Sequence, residues 1–198
     1  MNYRPFLFVL PLLMATSAVA DVTFTVTESA GTITFAGQGS LNTAGVSPDV
    51  VFEFQDPFVE SNNPTLILGA EVGNAQILTV DDNGDSLDPF GTSSVELPLG
   101  SLTGDILGFQ NNGGQFQLIL DSNYVSGSPL SASGTFSGTI LGVGLTPGTY
   151  VYSYDGADGS GPNDTITVVV VPEPNTLALL GLGGLIVARR GQSNHTFA

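Results

Sequence analysis

Apolar and polar residues alternate one by one along much of this chain. Val22, Phe24 and Val26 are interleaved with Thr23, Thr25 and Thr27, and after residues 28–31 the pattern resumes at Ile33 and Phe35. Successive side chains of a strand point to opposite faces, so a period of two sends one set to a core and the other towards water. The interruption reads as the turn of a hairpin. Further strand candidates are 51–54, 66–68, 76–80, 94–97, 115–120, 135–141, 150–154 and 165–171, separated by Gly, Pro, Asn and Asp. No helical stripe interrupts them between Asp21 and Pro172. Many short strands with turn signals between them predict an all-β chain, an antiparallel β-sandwich with Greek-key-like connections.

Residues 145–150 sharpen that expectation. Leu145-Thr146-Pro147-Gly148-Thr149-Tyr150 has the Leu-x-Pro-Gly-x-Tyr form and resembles the tyrosine corner of Greek-key sandwiches. The resemblance implies that the Tyr150 hydroxyl bonds back to nearby backbone and fixes a corner between sheets. An ordinary Pro-Gly turn before a strand is the alternative.

The two ends read differently from the middle. Arg4 precedes an apolar stretch from Phe6 to Met14, and Ala18-Val19-Ala20 fits the small-x-small rule for signal cleavage. Residues 1–20 are therefore expected to be a signal peptide with a helical core, and Asp21 the first mature residue. At the other end stand Pro172, Glu173 and Pro174, then apolar residues 177–188, then Arg189 and Arg190. As a helix, 177–188 would rise about 18 Å, against the roughly 30 Å of a bilayer core. That suits a short hydrophobic helix held briefly in a membrane. A buried C-terminal core helix is the alternative.

This ordered trio resembles the PEP-CTERM sorting signal of Gram-negative bacteria. The resemblance implies that a membrane-embedded exosortase recognises the tripeptide. It further implies transient anchoring in the inner membrane, processing near the motif, and release to or attachment at the cell surface. Arg189 and Arg190 would be the basic stop, here only two residues, and the tail 191–198 follows them. Residues 123–154 are in turn similar to a β-rich ectodomain recurrent among such proteins, through Tyr124-Val125-Ser126-Gly127-Ser128-Pro129-Leu130-Ser131, Thr135-Phe136 and residues 145–150. That likeness brings no defined activity. The expected layout is a signal peptide at 1–20, an ectodomain at 21–170, a sorting and anchor segment at 171–190 and a short tail.

Composition narrows the function. The formal net charge is −15, and the three basic residues are Arg4, Arg189 and Arg190. All 18 acidic residues lie between Asp21 and Glu173, so the mature region has neither Lys nor Arg. Such a surface repels phosphate backbones, which argues against nucleic-acid binding, and it attracts cations. There is no cysteine, so packing and sheet hydrogen bonds carry stability without disulfides. The single histidine, His195, lies in the tail. A mature region without His, Cys or Lys lacks the bases and nucleophiles of Ser-His-Asp, Cys-His and Schiff-base chemistry. A two-carboxylate glycosidase needs none of these, but no Trp is present as a sugar platform. A non-enzymatic role is expected, with no obligatory cofactor.

Two acidic loops are candidate cation sites. In the first, Asp81, Asn83 and Asp85 alternate and Asp88 follows, a set of oxygens from which calcium could draw part of its six to eight ligands. The spacing departs from an EF-hand, and a solvated hairpin loop turning at Asn83-Gly84 is the alternative. The second runs from Asp155 to Asp164, and its residues 161–166 resemble one unit of a calcium-binding nonapeptide repeat. With a single copy, a plain loop between two terminal strands is the alternative. Phe52, Phe54, Phe58, Tyr150 and Tyr152 are candidates for glycan contact, although aromatics at strand spacing are more often core. The reading that follows is an exported, non-catalytic surface or extracellular-matrix protein, with exosortase and exopolysaccharide as partners. A calcium-dependent carbohydrate-binding module is the alternative.

Overall fold

A computed structural model describes residues 21–70, 73–81, 87–155 and 164–173. The signal helix expected over 1–20 and the hydrophobic helix expected over 177–188 both lie outside them. Among the described residues there is no helix. The strands in chain order are β1 (Asp21–Ser29), β2 (Thr32–Gly39), β3 (Val50–Phe54), β4 (Phe58–Glu60), β5 (Thr65–Leu68), β6 (Gly73–Val80), β7 (Leu97–Pro98), β8 (Gly100–Gly104), β9 (Leu107–Asn112), β10 (Gln115–Asp121), β11 (Leu130–Ser137), β12 (Gly148–Tyr154) and β13 (Asp164–Val171).

These strands form two sheets. One runs β12-β13-β1-β2-β11-β8 and the other β3-β6-β10-β9-β5-β4-β7. The first hairpin forms as its alternation dictates: Val22, Phe24, Val26, Ile33 and Phe35 are all fully buried. Its turn is Ala30-Gly31, with φ of 49° and 74°, the left-handed pair that lets a two-residue loop follow the strand twist. One pairing departs from the antiparallel expectation. β13 lies parallel to β1, Asp21 opposite Thr165 and Thr27 opposite Val171. The last described strand thereby returns beside the first, between β1 and β12.

The two sheets share one core. Phe24 of the first meets Phe109 of the second at 5.7 Å between ring centroids. Phe109 also meets Phe116 at 6.1 Å and Tyr152 at 5.2 Å. Edge-on and tilted contacts of this kind add to the apolar burial that drives folding.

Two strand expectations need correction. Residues 94–97 form no strand, and only Leu97 enters the short β7. Its neighbour Val95 is exposed. The loop is held instead by side chain and backbone, Ser93 N–H donating to Ser61 Oγ at 3.2 Å and Asn62 N–H to Ser93 O at 2.9 Å. The strand expected over 135–141 starts at Leu130 and ends at Ser137, where Gly138 has a φ of 153°. Strands β4, β8 and β9 were not foreseen.

The seven-stranded sheet is apolar on both faces. Leu118 and Leu120 of β10 point into the shared core, whereas Ile119 joins Phe54, Ile67, Ala75 and Ile106 in a second buried cluster on the opposite side. An antiparallel sheet with one face in water ordinarily alternates apolar and polar residues. This outer face does not.

Candidate functional site

Three places in the fold hold the residues that sequence reasoning singled out. The first is the exit of the chain. Val171 still pairs with Thr27 at the end of β13, and Pro172 and Glu173 follow at once. The Glu173 carboxylate accepts a hydrogen bond from the backbone N–H of Ala30, in the β1–β2 turn. Pro174, Arg189 and Arg190 lie outside the described residues, as do Ala18 and Ala20. Asp21 opens β1, and its carboxylate accepts a hydrogen bond from the Thr165 hydroxyl at 2.6 Å. Because β1 and β13 are parallel, Asp21 and the exit at Val171 sit at opposite ends of one sheet.

The family comparison meets this exit. A family model for the PEP-CTERM protein-sorting motif matches residues 170–192. The chain carries a PEP-CTERM sorting motif. The match starts inside β13 at Val170, so no linker separates the folded strand from the PEP-CTERM segment. The motif marks the protein for export and for cell-surface targeting through exosortase. No curated protein and no solved structure matches the chain.

The second place is the end of the fold where the two acidic loops begin. Asp81 and Asp155 pair as an isolated bridge, Asp155 N–H donating to Asp81 O at 2.8 Å and Asp81 N–H to Asp155 O at 3.3 Å. Each opens one of the loops proposed from sequence, so the fold brings both to one point. Asp155 is buried, and its Oδ1 has no hydrogen-bond partner among the described residues. Asp88 accepts a hydrogen bond at its carbonyl from the Tyr152 hydroxyl at 2.8 Å. Asn83 and Asp85 lie outside the described residues. Among the described residues no group of three or more acidic side chains is arranged to hold a metal.

Tyrosines brace this end. Burial pushes the Tyr152 hydroxyl well above the usual tyrosine range, with smaller contributions from Tyr150 and Asp88. Burial does the same to Tyr154, reinforced by the Asp164 carboxylate. Both remain neutral at any physiological pH. Tyr150 places its hydroxyl 2.9 Å from the carbonyl of Thr146 and packs its ring on Phe90 at 6.2 Å. A more connected hydroxyl belongs to Tyr124, which sequence reasoning did not assign a bracing role. It accepts from Leu41 N–H at 2.9 Å and lies within donating distance of the Leu41 carbonyl (2.8 Å) and the Ser128 carbonyl (3.0 Å).

The third place is the outer face of the seven-stranded sheet. Of the five aromatics proposed for glycan contact, Tyr152 is core and Tyr150 is at the corner. Phe52, Phe54 and Phe58 line a cleft of about 340 Å³ together with Ile77 and Ile119. A second cleft of about 630 Å³ adjoins it, sharing Gln55, Asp56 and Phe58. Beside the apolar floor runs a stripe of polar side chains. Gln110 Nε2 donates to Gln117 Oε1 at 2.7 Å, Gln117 Nε2 to Thr79 Oγ1 at 3.1 Å, and Thr79 Oγ1 to Asp49 Oδ2 at 2.5 Å. The local sequence showed the aromatics. The register of β6, β9 and β10 that lines up the amides was not visible in it.

Proposed function

We propose that this is a non-catalytic component of the cell surface or extracellular matrix, delivered by its PEP-CTERM motif. The observation that carries the reading is the direct passage of a folded strand, β13, into the sorting motif at residue 170. One two-sheet fold and one address label make up residues 21–190. The absence of His, Cys, Lys and Arg from residues 21–173 supports a role without covalent or acid–base chemistry. Residues 177–188 hold the precursor in the inner membrane until exosortase acts, and an exopolysaccharide is the partner outside.

The test is fractionation and intact mass in a host that carries a matching exosortase. Wild type is compared with a variant in which Pro172, Glu173 and Pro174 are all alanine. The expected result is wild type in the matrix fraction, lacking residues 1–20 and the basic tail, with the variant longer and membrane-bound. Wild type that is processed but washes freely from the cells would contradict the matrix assignment.

The junction of the two acidic loops at Asp81 and Asp155, with one buried carboxylate oxygen unpartnered among the described residues, favours a second reading, a calcium-dependent carbohydrate-binding module. Calcium that binds only the folded form raises the melting temperature. A melting temperature indifferent to millimolar calcium, on the order of the weaker extracellular sites, removes this reading.

A further inference from the structure

We propose that the outer face of the seven-stranded sheet is the binding site for a polysaccharide chain without acidic groups, an inference that rests on the matrix reading above and names its site.

Four observations lead there. The first is the apolar floor. On the side away from the shared core, where no second sheet lies among the described residues, the half-buried Phe52, Phe58 and Ile77 line the cleft and rest on the buried Ile119, Ile67 and Phe54. Flat aromatic and aliphatic surface of this kind fits the C–H faces of pyranose rings, whose hydroxyls project from the ring edge and need partners there. The second is the polar stripe from Asp49 through Thr79 and Gln117 to Gln110, which runs alongside the floor. Gln110 itself lines the cleft. Amide and carboxylate groups fixed by one another are pre-oriented for hydroxyls, so less order has to be imposed on binding. A lipid chain would use the floor and leave the stripe idle.

Extent is the third. The two clefts share Gln55, Asp56 and Phe58, and the second continues past Pro98 of β7 to the sheet edge, where Leu102 of β8 lines it. A single pocket would suit a small ligand, whereas adjoining clefts sharing one aromatic suit consecutive units of a polymer. Charge is the fourth. Glu53 and Asp56 line the first cleft, and Asp56 and Glu96 the second. No Lys or Arg exists between Asp21 and Glu173 to offset them. A uronate or sulfated chain would meet like charges with no counter-charge. A neutral chain meets no such repulsion, and an amino-bearing chain gains attraction.

The experiment is affinity electrophoresis of the exported, processed protein in gels containing hydroxyethylcellulose, dextran, chitosan or alginate. The expected result is retardation by at least one of the two neutral polymers and by chitosan, and none by alginate. The net charge alone would draw the protein to chitosan, so the neutral gels decide. Phe52→Ala with Phe58→Ala should weaken neutral-polymer binding at least ten-fold while leaving charge unchanged. Gln110→Ala, which leaves Phe52, Phe58 and Ile77 in place, should weaken it several-fold and keeps the test open should the double variant fold poorly. Glu53→Gln with Asp56→Asn should lower chitosan retardation and leave the neutral polymers unaffected.

Binding to neither neutral polymer, binding to alginate as strong as to the neutral polymers, or unchanged binding by the Phe and Gln variants would each overturn the inference. So would a dimer that Phe52→Ala dissociates, because the occupant would then be a second copy. Matrix retention in cells without polymer binding in the gel removes this inference alone. Polymer binding in the gel without matrix retention removes the matrix reading alone.

Discussion

The outer face of the six-stranded sheet carries Thr23, Thr25, Thr34, Ser131, Ser133, Thr135 and Thr167, in register across β13, β1, β2 and β11. The outer face of the seven-stranded sheet carries Phe52, Phe54, Ile67, Ile77, Ile106 and Ile119. Both sheets turn their other side to the same core, with Phe24 and Phe109 in contact across it. Core formation therefore explains the inner faces and leaves the outer difference unexplained. Short hydroxyl-bearing side chains satisfy one another and water, as Thr103 and Ser133 do at 2.8 Å. A groove floored with Phe and Ile beside an amide stripe is instead a surface suited to contact. In this molecule the first sheet carries the first and last described strands and the second carries the groove.

The largest effect should come from breaking what the sheets share. Phe109 touches Phe24, Phe116 and Tyr152 at the centre of the core. Phe109→Ala should cost about 3–5 kcal/mol through lost burial and an unfilled cavity, read as a fall in the denaturation midpoint. A loss under 1 kcal/mol would mean that the two sheets do not depend on a common core.

High pH should act next, through the first sheet. Tyr152 and Tyr154 of β12 have their pKa raised by burial, and so does Tyr124. Unfolded tyrosine ionises near pH 10. A raised folded value means that the stabilisation is complete below about pH 10 and is lost as pH climbs through the folded values. Phenolate absorbance should therefore lag a free-tyrosine curve and then rise together with unfolding. Titration of all the tyrosines along the free curve, with the fold intact, would contradict the burial of β12.

The smallest stability effects should be on the outer faces, and they should differ in kind. Thr25→Ser should change stability by no more than about 0.5 kcal/mol and leave polymer binding as it was. Phe52→Ser should cost about 1 kcal/mol for a half-buried ring, yet remove most of the binding. Equal binding in both variants would erase the distinction between the faces.

Particular elements show what the sequence could reveal. The β1–β2 hairpin was legible because its alternation is unbroken and its turn is a short Ala-Gly pair. Strand β9 was hidden by Gly108 and the Asn111-Asn112 pair, which look like turn residues. Gly108 is there for space, since a Cβ would sit 2.7 Å from the Ile67 Cα and the Leu66 carbonyl oxygen. Strand β8 has no apolar alternation and exists through pairing with β11, which only the fold supplies. The parallel return of β13 beside β1 left no local signature either. The sorting motif was readable because it is contiguous, whereas the groove joins β3, β6, β9 and β10 and depends on long-range register. Consecutive apolar pairs such as Ile77-Leu78 and Leu118-Ile119 put apolar side chains on both faces of the sheet, a pattern the alternation reading passed over. They did not say what lies against the second side.

The most direct test of the difference between the faces is residue-by-residue NMR shift mapping of the exported, processed protein as hydroxyethylcellulose oligomers are added. The expected result is movement confined to Phe52, Phe54, Phe58, Ile77, Gln110, Gln117 and their strand neighbours, with Thr23, Thr25, Thr34 and Ser133 still. Movement centred on the threonine face, or none on either, would contradict the assignment of the seven-stranded sheet as the contact surface.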